Sequence, residues 1–233
     1  MTEPSAAIEQ TAAVEQAAAI EQAAAVDVRP GVPLVVCDAD EVLFDFMTGF
    51  EAHLAAAGLV FTWQAFRLNG NLRRRADGRP LPPDEVKATV TTFFEAATED
   101  LAVIAGAASG LAAVAGRAQI VVLSNMPPNC REARLRAMAR EGMAYPLIAN
   151  QGPKGPVVHA LARRADAPTY FIDDSPTHHA DVARLAPEVT RIHFIGHPRL
   201  ARLIGLAPDG HVRPEDWPGI VAFIAADLER RGY

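Results

Sequence analysis

The sequence has little of what marks secreted, membrane-spanning or nucleic-acid-binding proteins. It contains two cysteines, Cys37 and Cys130, in 233 residues, too few for a disulfide scaffold and suited to a reducing compartment. No stretch reaches the roughly eighteen apolar residues of a membrane span, and the N-terminus lacks the pattern of a secretory signal. Lys and Arg number 22 against 28 Asp and Glu, a formal charge of −6, which argues against general nucleic-acid affinity. We therefore expect a cytoplasmic protein with no membrane or nucleic-acid partner, and the sequence leaves its oligomeric state open.

The first 28 residues differ in composition from the rest of the chain. Residues 5–28 read as four hexads, SAAIEQ, TAAVEQ, AAAIEQ and AAAVDV, which are rich in good helix formers. A six-residue repeat advances about 600° around a helix, so Ile8, Val14 and Ile20 fall on different faces and form no coiled-coil seam. We interpret residues 1–28 as a mobile low-complexity tail outside the fold.

From residue 29 onward, short apolar runs alternate with helical patterns. The runs lack polar alternation, which suits strands buried on both faces. They are residues 34–37, 120–123, 145–149, 169–172 and 191–195. Helical patterns between them, such as 129–141 and 156–164, complete a βαβ rhythm. This predicts an α/β fold with a parallel, Rossmann-like sheet and helices on both faces, formed by residues 29–44 and 105–233.

A long interval between the first two runs interrupts this rhythm. It holds about eighty residues, too many for a single crossover helix. Within it, residues 46–57 and 83–98 have helical patterns, and Pro82 and Pro83 make a plausible helix start. We therefore predict a small helical cap, residues 45–104, inserted after the first strand and lying above the sheet.

Polar side chains follow the apolar runs where each predicted strand ends. They are Asp38, Asp40, Ser124, Asn125, Asp173 and Asp174, with Lys154 opening a helix between the third and fourth runs. The carboxyl ends of parallel strands meet at one edge of a sheet, so these groups should converge. Four crowded carboxylates repel one another, and a hard divalent cation such as Mg²⁺ is the usual remedy. A hydroxyl and free backbone N–H groups beside them suit the oxygens of a phosphate.

The same positions resemble the motifs of the haloacid-dehalogenase-like hydrolases, in the order of that family. Residues 35–43 are similar to the first motif and 121–125 to the second, Lys154 to the third, and 171–176 to the fourth. The resemblance implies a magnesium-dependent phosphomonoester hydrolase that acts on a small phosphorylated metabolite through an aspartyl-phosphate. An aspartate at position 40 is similar to the phosphatase branch, because the dehalogenase branch lacks a carboxylate there.

The resemblance also implies roles for individual residues. Asp38 would attack phosphorus, and Asp40 would protonate the leaving oxygen and then deprotonate water. The metal would be held by Asp38, the backbone carbonyl of Asp40, and Asp174. Asp173 would lie behind these ligands and orient water or Lys154.

The phosphate site implied by the resemblance consists of the Ser124 hydroxyl and the Asn125 amide, with Lys154 neutralising charge. A phosphotransferase or phosphomutase would share every motif, so the sequence does not separate it from a hydrolase. A non-catalytic binding module is disfavoured because both aspartates of the first motif are present. A receiver-type signalling domain is excluded by order, since its lysine comes last.

Neighbouring residues have ordinary interpretations. Glu41 stands where many relatives have glycine or threonine, and we expect its side chain to point into solvent. His178 and His179 lack zinc-type spacing, so we predict that they lie at the surface or behind the site. An arginine cluster in the cap is usually a solvated face, but it is the best candidate for contact with an anionic substrate body. It comprises Arg67, Arg73, Arg74 and Arg75.

Overall fold

The computed structural model describes residues 6–233, and the side chains of residues 14–233. The strands are β1 (Leu34–Cys37), β2 (Leu59–Phe61), β3 (Leu72–Arg74), β4 (Gln119–Asn125), β5 (Leu147–Asn150), β6 (Thr169–Asp173) and β7 (Thr190–His193). The helices are α1 (Ala6–Ala25), α2 (Phe46–Ala56), α3 (Pro83–Ala97), α4 (Ala107–Ala115), α5 (Arg131–Arg140), α6 (Gly155–Ala165), α7 (Pro176–Leu185), α8 (Pro198–Ala201) and α9 (Trp217–Arg230).

The main sheet confirms the predicted α/β fold. Its five strands run parallel in the order β5-β4-β1-β6-β7. All five apolar runs seen in the sequence contribute to it, with their ends shifted by at most two residues. Strand β1 is central and is buried along its whole length, which is why it reads as an uninterrupted apolar run. Its neighbours are β4 and β6, so three strands end side by side at one edge.

Helices cover both faces of this sheet. On one face, Val35 and Ile172 belong to a core shared with α4, α5, α9 and the inserted segment. On the other, Val36 and Phe171 pack with α1, α6 and α7. Consecutive strand residues therefore bury their side chains in different cores, as the pleat of a strand requires.

The inserted segment contains the two predicted helices, α2 and α3, and also a structure that the sequence did not predict. Strands β2 and β3 pair antiparallel, with Leu59 opposite Arg74 and Phe61 opposite Leu72. Each strand has three residues, so alternation of buried and exposed side chains is too short to stand out in the sequence. The predicted division into a catalytic core and a cap remains our interpretation of these elements.

The N-terminal segment requires a correction over its second half. The sequence predicted a tail outside the fold, but α1 packs on the core and buries Ala19 and Ala23. Gln22 pairs with the edge strand β5 through its side chain. It donates to the Ala149 carbonyl at 3.2 Å and accepts from the Ala149 N–H at 3.1 Å. The contact surface is made of alanine, which carries little hydropathy signal. Residues 1–5 lie outside the described part of the chain.

No helix in residues 6–233 is long and apolar enough to cross a membrane.

Candidate active site

The predicted site residues lie together at the carboxyl edge of the main sheet. Strand β1 pairs with β4 through Cys37 and Val122 and with β6 through Cys37 and Ile172. The residues that follow Cys37, Val122 and Ile172 therefore lie next to one another at the carboxyl edge of the sheet. Asp38 extends β1 by one backbone bond, since its N–H donates to the Ile172 carbonyl at 2.9 Å.

Asp38 is held by a buried lysine. Its Oδ1 accepts from the Ala39 N–H at 2.7 Å and lies 2.7 Å from Nζ of Lys154. The same Nζ donates to Oδ2 of Asp173 at 2.7 Å. Lys154 is fully buried, so it lies between two carboxylates with no solvent to screen it. Among the described residues, Oδ2 of Asp38 has no hydrogen-bond donor.

The charges of this triad are set by burial and by one another. Burial raises the pKa of Asp38 to about 6, with Asp173 adding to the rise and Lys154 opposing it. Burial alone would lower the pKa of Lys154, but Asp173 and Asp38 raise it above its usual value. Burial would also raise the pKa of Asp173, yet Lys154 and His178 hold it well below its usual range. Lys154 and Asp173 are therefore an ion pair, and Asp38 is the member whose charge is most easily changed.

Asp173 also fixes the imidazole of His178. Its Oδ1 lies 3.0 Å from Nδ1 of His178 and accepts from the Ser175 N–H at 2.8 Å. The other ring nitrogen, Nε2, is 3.3 Å from Nδ2 of Asn125, which donates to the Gly152 carbonyl. Because an amide nitrogen only donates, Nε2 accepts and Nδ1 carries the proton. His178 thus joins Asp173 to Asn125 at the floor of the chamber described below.

The second aspartate of the first motif has a partner that sequence reasoning missed. Asp40 accepts from the Ser124 hydroxyl at 3.2 Å through Oδ2, and its Oδ1 lies 2.5 Å from Nη2 of Arg134. Arg134 is fully buried on α5, with its guanidinium 4.5 Å from the centre of the Phe44 ring. A signal was available, since Arg134 shares a buried stripe with Cys130, Ala137 and Met138 at helical spacing.

Arg134 is only partly satisfied. Its Nε and Nη1 have no hydrogen-bond partner among the described residues. A buried guanidinium with unmet donors costs stability, so the position is not one that folding alone would favour. Among the side chains that the structure describes, the one charged group in contact with Arg134 is the Asp40 carboxylate.

Glu41 does not point into solvent, and that prediction was wrong. The residue is buried, and its backbone has a positive φ of 62°. Its carboxylate accepts from the Met47 N–H at 2.7 Å and the His197 N–H at 3.0 Å. Burial raises the pKa of Glu41 to about 8, and these two N–H groups oppose the rise. Glu41 thus joins the start of α2 to the segment that precedes α8, and its turn conformation aims the side chain inward.

Three carboxylates at this edge lie close enough to share a cation. Ligand oxygens of Asp38, Asp173 and Asp174 are all within 4.8 Å of one another. Burial raises the pKa of Asp174 well above its usual value, and the charges of Asp173 and Asp38 add to the rise. Lys154 offsets only part of this negative charge. The donor set consists of oxygens, which suits a hard divalent cation such as Mg²⁺.

A chamber of about 300 Å³ opens above these carboxylates. We call its sheet-edge residues the chamber floor, namely Asp38, Asp40, Glu41, Asn125, Asp174 and His178. We call the remaining lining residues the chamber wall, namely Phe46, Met47, Phe61, Phe66, Arg67, Leu68, Val90, Phe94 and Leu200. All wall residues except Leu200 come from the segment inserted after β1.

The predicted arginine cluster of the inserted segment is split apart. Only Arg67 lines the chamber. Arg73 donates to the Gly78 carbonyl at 3.0 Å, and Arg74 pairs with Glu85 at 2.6 Å on the exposed surface. The expectation of a joint contact with substrate therefore narrows to Arg67.

Similar solved structures share one fold, although the sequence comparisons found no match. No family model matches the sequence, and no curated protein does so either. A haloacid dehalogenase-like protein of unknown function from Agrobacterium tumefaciens has a similar structure, with TM-score 0.60, 17% identity, and coverage of 85% of this chain and 100% of that one. A hydrolase from Deinococcus radiodurans with bound phosphate and sodium gives TM-score 0.54, 23% identity and coverage of 87% and 97%. An L-2-haloacid dehalogenase gives TM-score 0.55, 13% identity and coverage of 84% and 100%.

These similarities establish the architecture, since they extend over most of both chains in each pair. Together with the five-stranded order and the carboxylates at its edge, they show that this chain has the haloacid-dehalogenase-like fold.

Proposed function

We propose that this chain is a magnesium-dependent phosphohydrolase that acts on a small phosphomonoester through an aspartyl-phosphate on Asp38. The observation that carries the proposal is the environment of Asp38. Its carboxylate is buried, one oxygen is held by Lys154 and the Ala39 N–H, and the other has no donor among the described residues. A carboxylate fixed in this way at the chamber floor is oriented for attack.

The cation would be held by the carboxylates of Asp38 and Asp174 and by the backbone carbonyl of Asp40. The fit rests on three carboxylates within reach of one cation, with burial first, and the charges of Asp173 and Asp38 second, raising the pKa of Asp174. When bound, Mg²⁺ would offset the charge of the phosphoryl group. Asp173 would act indirectly, because its oxygens are already engaged by Lys154, the Ser175 N–H and His178.

Asp40 would act as the general acid and base. The carboxyl group lines the chamber and is positioned by Arg134 and Ser124 from two directions. It would protonate the departing alkoxide and then deprotonate the water that cleaves the aspartyl-phosphate. On substrate binding, the Ser124 hydroxyl would turn from Asp40 to a phosphoryl oxygen. The backbone amide of Asn125 would contact another phosphoryl oxygen, and Lys154 would balance their charge.

Displacement of halide at carbon is the rival chemistry, since one similar structure is an L-2-haloacid dehalogenase. Such a reaction uses the carboxylate nucleophile. It needs no proton donor, because halide leaves without protonation, and no cation, because its substrate carries no phosphate. The Asp40–Arg134 pair and the carboxylates of Asp173 and Asp174 have a use in phosphoryl transfer. A phosphotransferase would use the same groups and differ only in the acceptor.

The decisive test is to trap the phosphoenzyme. Wild-type protein, with Mg²⁺ and radiolabelled para-nitrophenyl phosphate, should retain label after rapid quenching, and the labelled peptide should contain Asp38. Asp38→Asn should retain none and release no phosphate. Asp166→Asn is a matched control, because Asp166 is exposed with a positive φ of 44° that asparagine also tolerates. Bromide release from 2-bromopropionate without phosphate release would refute the proposal, and transfer to an added alcohol in preference to water would favour the phosphotransferase.

A further inference from the structure

We propose that the substrate is the phosphomonoester of a compact apolar alcohol, with a body no larger than about a six-membered ring or a short branched chain. This inference rests on the proposed function and adds the chemical class of the group that carries the phosphate. It excludes sugar phosphates and nucleotides as preferred substrates.

The chamber wall supplies the first argument. Eight of its nine residues are apolar, including four phenylalanines, and Arg67 is the exception. Covering the wall with an apolar substrate body therefore makes the binding free energy more favourable. It has almost nothing to offer a hydroxyl group, and a hydroxyl that loses water without gaining a partner is penalised.

The chamber floor does not compensate for this lack. Asn125 is engaged with the Gly152 carbonyl and with Asn150, and His178 is engaged with Asp173. Both oxygens of Glu41 accept from backbone N–H groups. The polar groups of the floor that remain are those assigned above to the phosphoryl group and the cation. A polyhydroxylated body would enter a space where its hydroxyls find few partners.

Size is the third argument. A volume of about 300 Å³ is at the lower end of the range for small-molecule sites, roughly 300–1,000 Å³. The phosphoryl group and its cation must share this space with the substrate body. A single ring fits within what remains.

Arg67 is consistent with this assignment. It lies on the loop between β2 and β3, its side chain is exposed, and it forms no salt bridge within residues 14–233. A free cation at the edge of an apolar chamber attracts a dianionic phosphoester over competing neutral alcohols. The Arg67 guanidinium offers hydrogen-bond donors at one point of the wall only, so it could serve a single hydroxyl of a sugar but not the whole set.

A matched pair of substrates tests the proposal directly. Cyclohexylmethyl phosphate and glucose 6-phosphate both join a phosphoryl group to a six-membered ring through one methylene, and they differ mainly in ring hydroxyls. We expect kcat/KM with Mg²⁺ to be at least about 100-fold higher for cyclohexylmethyl phosphate, because several hydroxyls would be buried without partners. Equal values, or a preference for glucose 6-phosphate, would overturn the inference.

A pair of isosteric variants locates the origin of the preference. Val90 lines the chamber, whereas Val60 on β2 is 37% exposed and does not line it. Val90→Thr should reduce the ratio of the two kcat/KM values by roughly 5- to 10-fold, because it adds a hydroxyl to the wall. Val60→Thr should leave the ratio unchanged. Equal ratios in both variants and the wild type would show that the wall does not select the body.

A measurement without any substrate body separates the inference from the proposed function. Exchange of ¹⁸O between inorganic phosphate and water, with Mg²⁺, requires only the phosphoryl site. Exchange combined with no preference for cyclohexylmethyl phosphate would overturn the substrate class and leave the phosphohydrolase intact. Absence of exchange, with no phosphate released from either ester, would overturn both.

Discussion

At the chamber floor, carboxylates are held by groups from distant parts of the chain, whereas the wall is a set of side chains that offer mostly apolar surface. Asp38, Asp40 and Glu41 each accept from two groups supplied by the backbone or by buried residues. The wall, apart from Arg67, has no charged group. We infer that the floor determines the reaction and the wall selects what is attached to the phosphate. Changes at the floor should therefore alter kcat, and changes at the wall should alter the choice of substrate.

Among changes that leave the nucleophile Asp38 in place, the largest effect should come from Asp40→Asn, which removes the proton donor. General acid–base catalysis is worth roughly 10²–10⁴-fold, so turnover of an alkyl phosphate should fall by that factor. A para-nitrophenolate leaving group departs without protonation, so the first step should recover substantially. Water activation would still be impaired, and phosphoenzyme should accumulate. Rapid quenching with both substrates measures this, and equal defects with no trapped intermediate would contradict the role of Asp40.

A smaller effect on the same group should follow from Arg134→Met. Arg134 contacts Asp40 rather than the chamber, so its loss should misplace the acid without removing it. We expect kcat for an alkyl phosphate to fall by roughly 10- to 100-fold, with little change in KM and a smaller defect for para-nitrophenyl phosphate. Stability should change little, because the two unmet donors of Arg134 are removed with it and Asp40, which lines the chamber, can be hydrated there.

Arg136→Met on the same helix is the matched control for this prediction. Arg136 pairs with Glu99 at 2.6 Å on the protein surface, and its side chain is 60% exposed. Surface pairs of this kind contribute little to stability, so both activity and stability should stay close to wild type. A kcat for Arg134→Met within twofold of wild type would show that Asp40 does not depend on its partner.

The floor and the fold were largely predictable from sequence for one physical reason. Parallel strands buried on both faces produce apolar runs, and polar residues at their ends must emerge together. Asp38, Asn125 and Asp174 were found in this way. Arg134 was not, because the helical stripe indicates only that it is buried, and its contact with Asp40 spans 94 positions, which no local pattern encodes.

The wall and the N-terminal segment were less predictable, for different reasons. The wall depends on how α2, α3 and the three-residue strands β2 and β3 pack, and many apolar residues could line a chamber. Helix α1 docks through Ala19 and Ala23, whose small side chains give no strong amphipathic pattern. Glu41 was misjudged because the inward aim of its side chain depends on a positive φ.

The smallest effect should be the response of stability to pH and Mg²⁺, which reports on the charge of the floor. Burial raises the pKa of Asp38 to about 6 and that of Asp174 well above its usual value. The folded protein without metal therefore keeps protons that the unfolded chain releases above about pH 4. Its free energy of unfolding should fall as pH rises from 5 to 7, by roughly 1 kcal/mol from Asp38, and Asp174 should add to the fall.

Mg²⁺ should reverse this trend, because it binds deprotonated carboxylates and binds them better as pH rises. The stabilisation by Mg²⁺, measured as a shift in Tm against chelator, should therefore grow between pH 5 and 7. His193, with a pKa of about 4, contributes a slope that is common to both conditions and cancels in the difference. Glu41, with a pKa of about 8, interacts with Asp174, so a bound cation would favour its deprotonation and act in the same direction. Asp174→Asn should abolish the Mg²⁺-dependent shift, whereas Asp166→Asn should keep it. A shift in wild type that is absent, or independent of pH, would mean that the floor does not hold the cation.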